Sequence, residues 1–288
     1  MANTIVPAEL LQSSGYNIKL GNTAGDSITT GEYNITVGNN AGTAISTGDR
    51  NVVIGASAGD AITTSTKNIA VGTSALTTNS TGDNNVAIGD QALSDSTASN
   101  NTAVGTSALG ANTTGDRNVA VGTNALTANT TASQNVAIGY GAASSNTTGY
   151  ELIAIGDSAL EANTTGISNV GIGEDALKAN TTGDYNTAVG GNALVAATTA
   201  DSNTAVGYNA GGAITTGQYN IAIGSAALAT ATTASNNVAV GRNALLSNTT
   251  GTGNVAVGTT ALDANTTGDY TVAVGRNALT VQTTGGNN

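Results

Sequence analysis

The sequence predicts an all-β protein: a single-stacked parallel β-solenoid, or β-roll, of 16 coils with 17 residues to a coil. Three observations predict it. Sixteen glycines from Gly21 to Gly275 recur every 17 residues, with one 16-residue step between Gly89 and Gly105. An Asn-aliphatic-Ala-aliphatic phrase runs into most of them, as in Asn118-Val119-Ala120-Val121. A unit this short cannot bury its apolar side alone, so it must stack on its neighbours.

The strand comes first in each coil. Strict alternation places Val119 and Val121 on one face and Ala120 on the other. The expectation is that the β-branched pair faces the core and Ala faces outward. Parallel strands would stack at about 4.8 Å per coil. Asn begins the strand in fourteen of the sixteen repeats, a register in which side-chain amides can hydrogen-bond from coil to coil. The anchor Gly never varies, which calls for a positive φ or a close backbone approach.

The second half of the coil carries Ala three residues after every anchor, then Leu in eleven repeats. Gly25, Gly42, Gly59 and Gly211 replace that Leu, and each is followed three residues later by an Ile (Ile28, Ile45, Ile62, Ile214) where Leu-bearing coils usually have Asn. One aliphatic group per coil is kept, supplied from either position to one pocket. The spacing of three admits a short helical turn or a second short strand. Thr-Thr-Gly-Asp or a variant then closes the coil as a turn. Ala132, Ala200 and Ala234 replace its Gly, so that corner needs no special φ. The residue missing from the short step lies within Leu93–Asn100.

Along the chain, residues 1–16 read as an N-terminal cap or degenerate coil, with Pro7 at the anchor position to block further pairing. Residues 17–288 form the repeat domain. Its coils at 17–66 are a variant, with Lys19, Thr36 and Val53 in place of the strand Ala, and those at 67–288 are regular. The last residues, ending at Asn288, stop where a strand would begin, so that end is expected to meet a partner.

Composition narrows the function. There is no Cys, His, Trp or Phe, which leaves no disulfide framework, thiolate site or His-based triad. Seven basic residues against eighteen acidic ones, net charge −11, argue against nucleic acid. The first residues show no secretory signal, and no run approaches the ~20 apolar residues of a membrane helix. The expectation is a chain made in a cytoplasm, without membrane insertion, cofactor, metal or enzymatic activity.

Several side-chain groups are candidate sites. Asp157, Glu174 and Asp175 are the best carboxylate cluster, and Glu161 with Lys178 reads as a surface ion pair. Asp49, Asp83, Asp116, Asp184 and Asp269, after Thr-Thr-Gly, are too intermittent for a calcium-binding roll. Paired threonines such as Thr113-Thr114 and Thr130-Thr131 invite an ice-binding reading, set against ladders that stabilise the turn. Tyr33, Tyr185, Tyr219 and Tyr270 share one position and are candidate glycan contacts. The outward strand row of Ala70, Ala87, Ala103, Ala120, Ala137, Ala154, Gly171, Ala188, Ala205, Ala222, Ala239, Ala256 and Ala273 is the candidate oligomer interface, small enough for close packing of a symmetric bundle.

At "NVAVG" and "NTAVG" the chain resembles the head repeats of trimeric autotransporter adhesins, and "NTAVGTNALTANTTG" resembles repeats of phage tail fibres and appendages. The first resemblance implies a parallel β-roll that trimerises. The second implies a homotrimeric rod of a virion, made in the host and released by lysis, that contacts other virion proteins and a host-surface glycan or protein. A bacterial surface adhesin or matrix filament is the alternative, and an ice-binding protein the second alternative.

Overall fold

In the computed structural model, residues 15–286 are described; the cap read at 1–16, with Pro7, lies outside them up to residue 14. The chain divides into two compact units, Met1–Asn135 and Val136–Asn288. The first unit contains seven three-residue strands, β1 (Ile18–Leu20) through β7 (Val119–Val121). The second contains nine, β8 (Val136–Ile138) through β16 (Val272–Val274). Within each unit every strand pairs parallel with the next in chain order and in register, as Lys19 with Thr36 and Ala239 with Ala256. Each unit is thus a parallel β-solenoid with one strand per coil.

Which face of the strand points inward is the reverse of the expectation. Ala120, Ala137, Ala154 and Ala239 are fully buried, and the flanking aliphatic residues are half-buried or exposed, as in the buried-centre pattern of Val119–Val121. The reason is width. A coil of 17 residues closes so tightly that its interior accepts one small side chain opposite Leu. A Cβ built on Gly171 would already lie 3.3 Å from Leu160 Cγ. Two β-branched side chains would not fit there.

The variant coils make the same argument in reverse. Lys19, Thr36 and Val53 also stand in the inward column, and these are the coils with Gly25, Gly42 and Gly59 in place of Leu. A Cβ on Gly25 would meet Thr36 Oγ1 at 3.0 Å, and one on Gly59 would meet Val53 Cγ1 at 3.3 Å. The larger inward residue occupies space that Leu vacates. The Ile three residues on fills the remainder: Ile45 and Ile62 are fully buried, with Cδ1 2.7 Å from where a Cβ would stand on Gly42 and Gly59. One pocket is therefore supplied from either position, as the spacing of Gly and Ile predicts.

Between anchor and threonines there is neither a helix nor a second strand. Overlapping turns occupy this segment. In the coil of Gly139, the N–H groups of Ala142, Ser144 and Asn146 donate three residues back to Gly139, Gly141 and Ala143. Gly141 (φ 63) and Ala143 (φ 50) hold the second central positions of the first two turns, the positive φ that a type II turn demands. The Leu column has the same conformation, for example Leu126 at φ 52. A helix requires consecutive residues in the αR region, so this alternation excludes one.

Both expected roles of the anchor Gly are present. Gly241 has φ 132, and a Cβ on it would fall 2.6 Å from the Gly258 carbonyl carbon. The strand-start Asn side chains form the expected buried ladder. Asn220 Nδ2 donates to Asn203 Oδ1 (3.0 Å) and Ala234 O (2.8 Å), and Asn220 Oδ1 accepts the Asn237 N–H (3.0 Å). A second buried ladder runs through the turn, where Asn163 Nδ2 donates to Asn146 Oδ1 (2.9 Å) and Asn180 Nδ2 to Asn163 Oδ1 (2.8 Å). It is interrupted at Asn180, whose Oδ1 is buried without a partner beside the column's next member, Ala197, and resumes where Asn265 Nδ2 donates to Asn248 Oδ1 (3.0 Å).

The 16-residue step is also resolved. Thr97 N–H donates to Thr113 O (3.0 Å), and Ala98 O accepts Asn85 Nδ2 (2.8 Å) as Gly115 O accepts Asn101 Nδ2. Thr97 and Ala98 thus fill the columns of Thr113 and Gly115, and the missing residue is the exposed second threonine. A deletion is tolerated there because that side chain supports nothing else in the coil.

Candidate functional site

Reversal of the strand face moves the candidate interface. Ala70, Ala87, Ala103, Ala120, Ala137, Ala154, Gly171, Ala188, Ala205, Ala222, Ala239, Ala256 and Ala273 are all buried inside their own coils. They offer no outer row. The outward columns are the residues on either side, such as Ile69, Ile138, Ile153, Ile221 and Ile223, each exposed by more than a third. Every member of both columns is Val, Ile, Leu or Thr, with no charged residue among them. The nine-strand face of the second unit carries eighteen such residues in register, a continuous apolar strip of the kind that marks a contact.

The threonine pairs divide their labour. The first hydroxyl is consumed within the solenoid: Thr113 Oγ1 donates to Thr130 O (2.9 Å), and Thr181 Oγ1 to Thr198 O (3.0 Å). The second threonine, as in Thr114, Thr131 and Thr182, is exposed. The pair thus supplies a turn-stabilising ladder and a separate outer column.

Asp49, Asp83, Asp184 and Asp269, after Thr-Thr-Gly or its variants, accept backbone donors from the preceding coil. Asp49 Oδ1 takes the Glu32 N–H (2.8 Å), Asp184 Oδ1 the Ile167 N–H (2.8 Å), and Asp269 Oδ1 the Thr252 N–H (2.7 Å). Where the column holds Ser, a hydroxyl does the same work, as Ser133 Oγ does for the Asp116 N–H (3.0 Å). The recurrence of Asp or Ser at one position was the available signal for this role. Hydrogen bonding with Ser133, then with Arg117, holds the Asp116 carboxyl below its ordinary value.

The carboxylate cluster does not converge as a triad. Asp175 Oδ1 is 2.9 Å from Lys178 Nζ, and Glu161 Oε2 is 3.5 Å from it, so the expected Glu161–Lys178 pair is present with Asp175 added. The Asp175 bond is the main cause that raises the Lys178 pKa. Asp157 is exposed and accepts the Ser158 hydroxyl (2.9 Å), and Glu174 is exposed. Exposed pairs of this kind add little stability.

The tyrosine column carries its rings at the surface. Tyr33, Tyr185, Tyr219 and Tyr270 are 49%, 59%, 59% and 64% exposed, and all have positive φ, from 52 to 60. Tyr16 belongs to the same column and stacks on Tyr33 with centroids 5.3 Å apart and planes 5° from parallel. The Arg50 guanidinium lies 5.7 Å from the Tyr33 ring centre. Tyr16 escaped sequence reasoning because it falls at the edge of the first recognisable coil.

Among the described residues, no helix is long and apolar enough to cross a membrane. No family model matches the chain, and no curated protein matches it.

Proposed function

We propose that this protein is a structural and adhesive element of a phage virion, a tail fibre or related appendage that works as a homotrimeric rod. The observation that carries the proposal is the uncharged Val/Ile face. A solenoid that spends its alanines and leucines inside and leaves β-branched residues outside has a surface suited to close, repeated contact with identical copies. Isologous or cyclic packing of such faces would bury them in full. Further support comes from the repeated phrase, which resembles appendage repeats, and from an acidic surface poorly suited to nucleic acid. In this reading the trimer gives reach, and many weak contacts along it sum to firm attachment. A bacterial surface adhesin or matrix filament would use the same face and remains the alternative.

Two measurements test the proposal. Sedimentation velocity should give a trimer that Val238→Glu with Val240→Glu converts to monomer, because each substitution places a like charge on the contact face. Labelled antibody should decorate the tail region of the native particle in electron microscopy. A wild-type monomer at micromolar concentration would overturn the self-association, and label on a cell envelope would move the protein to the alternative.

A further inference from the structure

We infer that Tyr185, Tyr219 and Tyr270, on the second unit, form a platform for a neutral polysaccharide. The inference deepens the adhesive reading above and rests on it. Three observations carry it.

The first is exposure without internal return. Every coil holds this column at positive φ, with Arg50, Lys67, Arg117 and Glu151 there as well as Asn236 and Gly253, so the turn sets the conformation and leaves the side chain free to vary. The three tyrosines keep about three-fifths of their surface exposed, so their rings add little to the fold. Large rings held in solvent where a polar residue would serve are available to an outside partner.

The second is how the Tyr270 ring lies. A Cβ built on Gly253 would fall 2.7 and 2.8 Å from Tyr270 Cδ1 and Cε1. The ring therefore lies back across the preceding coil, over a residue with no side chain. A ring laid on backbone presents its other side to solvent, the geometry needed to stack against the C–H face of a pyranose. Ser168 and Ser202, which carry a Cβ, hold the corresponding place before Tyr185 and Tyr219, so those two rings stand differently and are each 59% exposed.

The third is the polar company. Asp184, Gln218 and Asp269 immediately precede the three tyrosines. Asp184 and Asp269 each use Oδ1 on a backbone N–H, and neither Oδ2 has a partner among the described residues. Carboxylate and amide groups beside an aromatic face suit the hydroxyls of a sugar. Charge selects the class. Residues 136–288 contain nine acidic and three basic side chains, which disfavours uronic or sialic acid polymers. The tyrosines are two and three coils apart, roughly 10 and 14 Å by strand spacing. A linear chain lying along the stacking direction would meet them in turn.

Affinity electrophoresis of the full chain, in native gels cast with hydroxyethyl cellulose, dextran or polygalacturonate, tests the inference. Retardation by at least one neutral polymer is expected. The triple variant Tyr185→Asn, Tyr219→Asn, Tyr270→Asn should bind that polymer at least tenfold more weakly. Asn is chosen because it tolerates the positive φ, and sedimentation should show the variant with wild-type assembly. The control Tyr140→Asn with Tyr208→Asn should bind as wild type. Loss of binding with assembly intact supports the platform independently of how copies associate. Retardation by polygalacturonate alone, no retardation in any gel, or undiminished binding by the triple variant would each overturn it.

Discussion

At the scale of the residue, two glycine columns that look alike in sequence differ in what they tolerate. Gly241 combines φ 132 with a built Cβ 2.6 Å from the carbonyl of Gly258, a backbone group that pairing holds in place. Gly241→Ala is therefore expected to cost several kcal/mol, since both strain and overlap must be relieved. Gly251, in the Thr-Thr-Gly corner, would place a Cβ 2.4 Å from Gly268 O, yet Ala132, Ala200 and Ala234 occupy that column. The corner yields, so Gly251→Ala should cost less than about 1 kcal/mol. Urea midpoints of the two variants check the contrast, and equal losses would refute it. Asp60 gives a pH-dependent case. Burial raises its carboxyl pKa above the ordinary 3.8. An acid with a raised folded pKa gives up its proton first in the unfolded chain. Its contribution therefore favours folding at pH below 3.8 and turns unfavourable as pH rises through the folded value. Asp60→Asn should raise the melting temperature at pH 7 and lose that advantage at pH 3, with both proteins melted at both values.

At the scale of the element, the unit of design is the filled pocket, not the individual position. Gly211 sits between Leu194 Cδ2 and Ile214 Cδ1, 2.9 and 3.1 Å from where its Cβ would be. Converting the preceding coil to the same pattern, Leu194→Gly with Ala197→Ile, should preserve most of the stability. Leu194→Gly alone should cost about 3–5 kcal/mol through the cavity it opens. Ala197→Ile alone should cost about 1–3 kcal/mol by overpacking. The double-mutant cycle is expected to show favourable coupling of at least ~2 kcal/mol, and simple additivity would refute the shared pocket. This exchange was legible in the sequence, as were the period, the strand, the Asn ladder and the need for the anchor Gly, because each is written as a repeated choice of residue. The direction of the strand was not. Alternation defines two faces but carries no measure of the interior's width, and width decided that Ala120 rather than Val119 is buried. The clue lay in two columns read together: Lys19, Thr36 and Val53 occur only where Gly replaces Leu in the first coils. The turns escaped for a related reason. Positive φ at Leu126 and Leu245 is a conformation that Leu does not advertise. The tyrosines were visible as a column, whereas the lie of Tyr270 over Gly253 required coordinates.

At the scale of the whole molecule, the inverted strand would link folding to the proposed association. Inside a regular coil stand two Ala, one Leu and a buried Asn, as with Ala239, Ala244, Leu245 and Asn248, so little large apolar area is buried by the chain alone. The Val and Ile residues that would enlarge that core are on the surface, and a second and third copy would remove them from water at about 25 cal/mol per Å². Stability should therefore depend on protein concentration, since partners bind the folded chain and not the unfolded one. For a trimer, a hundredfold dilution should remove about 2 kcal/mol per chain and lower the calorimetric melting temperature by a few degrees. Val238→Glu with Val240→Glu should melt lower than wild type and at one temperature whatever the concentration. The inward residues of those coils are untouched, so far-ultraviolet dichroism of the variant should keep its β signature below the transition. A wild-type melting temperature unchanged across that dilution range, measured at a fixed scan rate, would show that each coil stands without its neighbours' copies, and the apolar face would need another explanation.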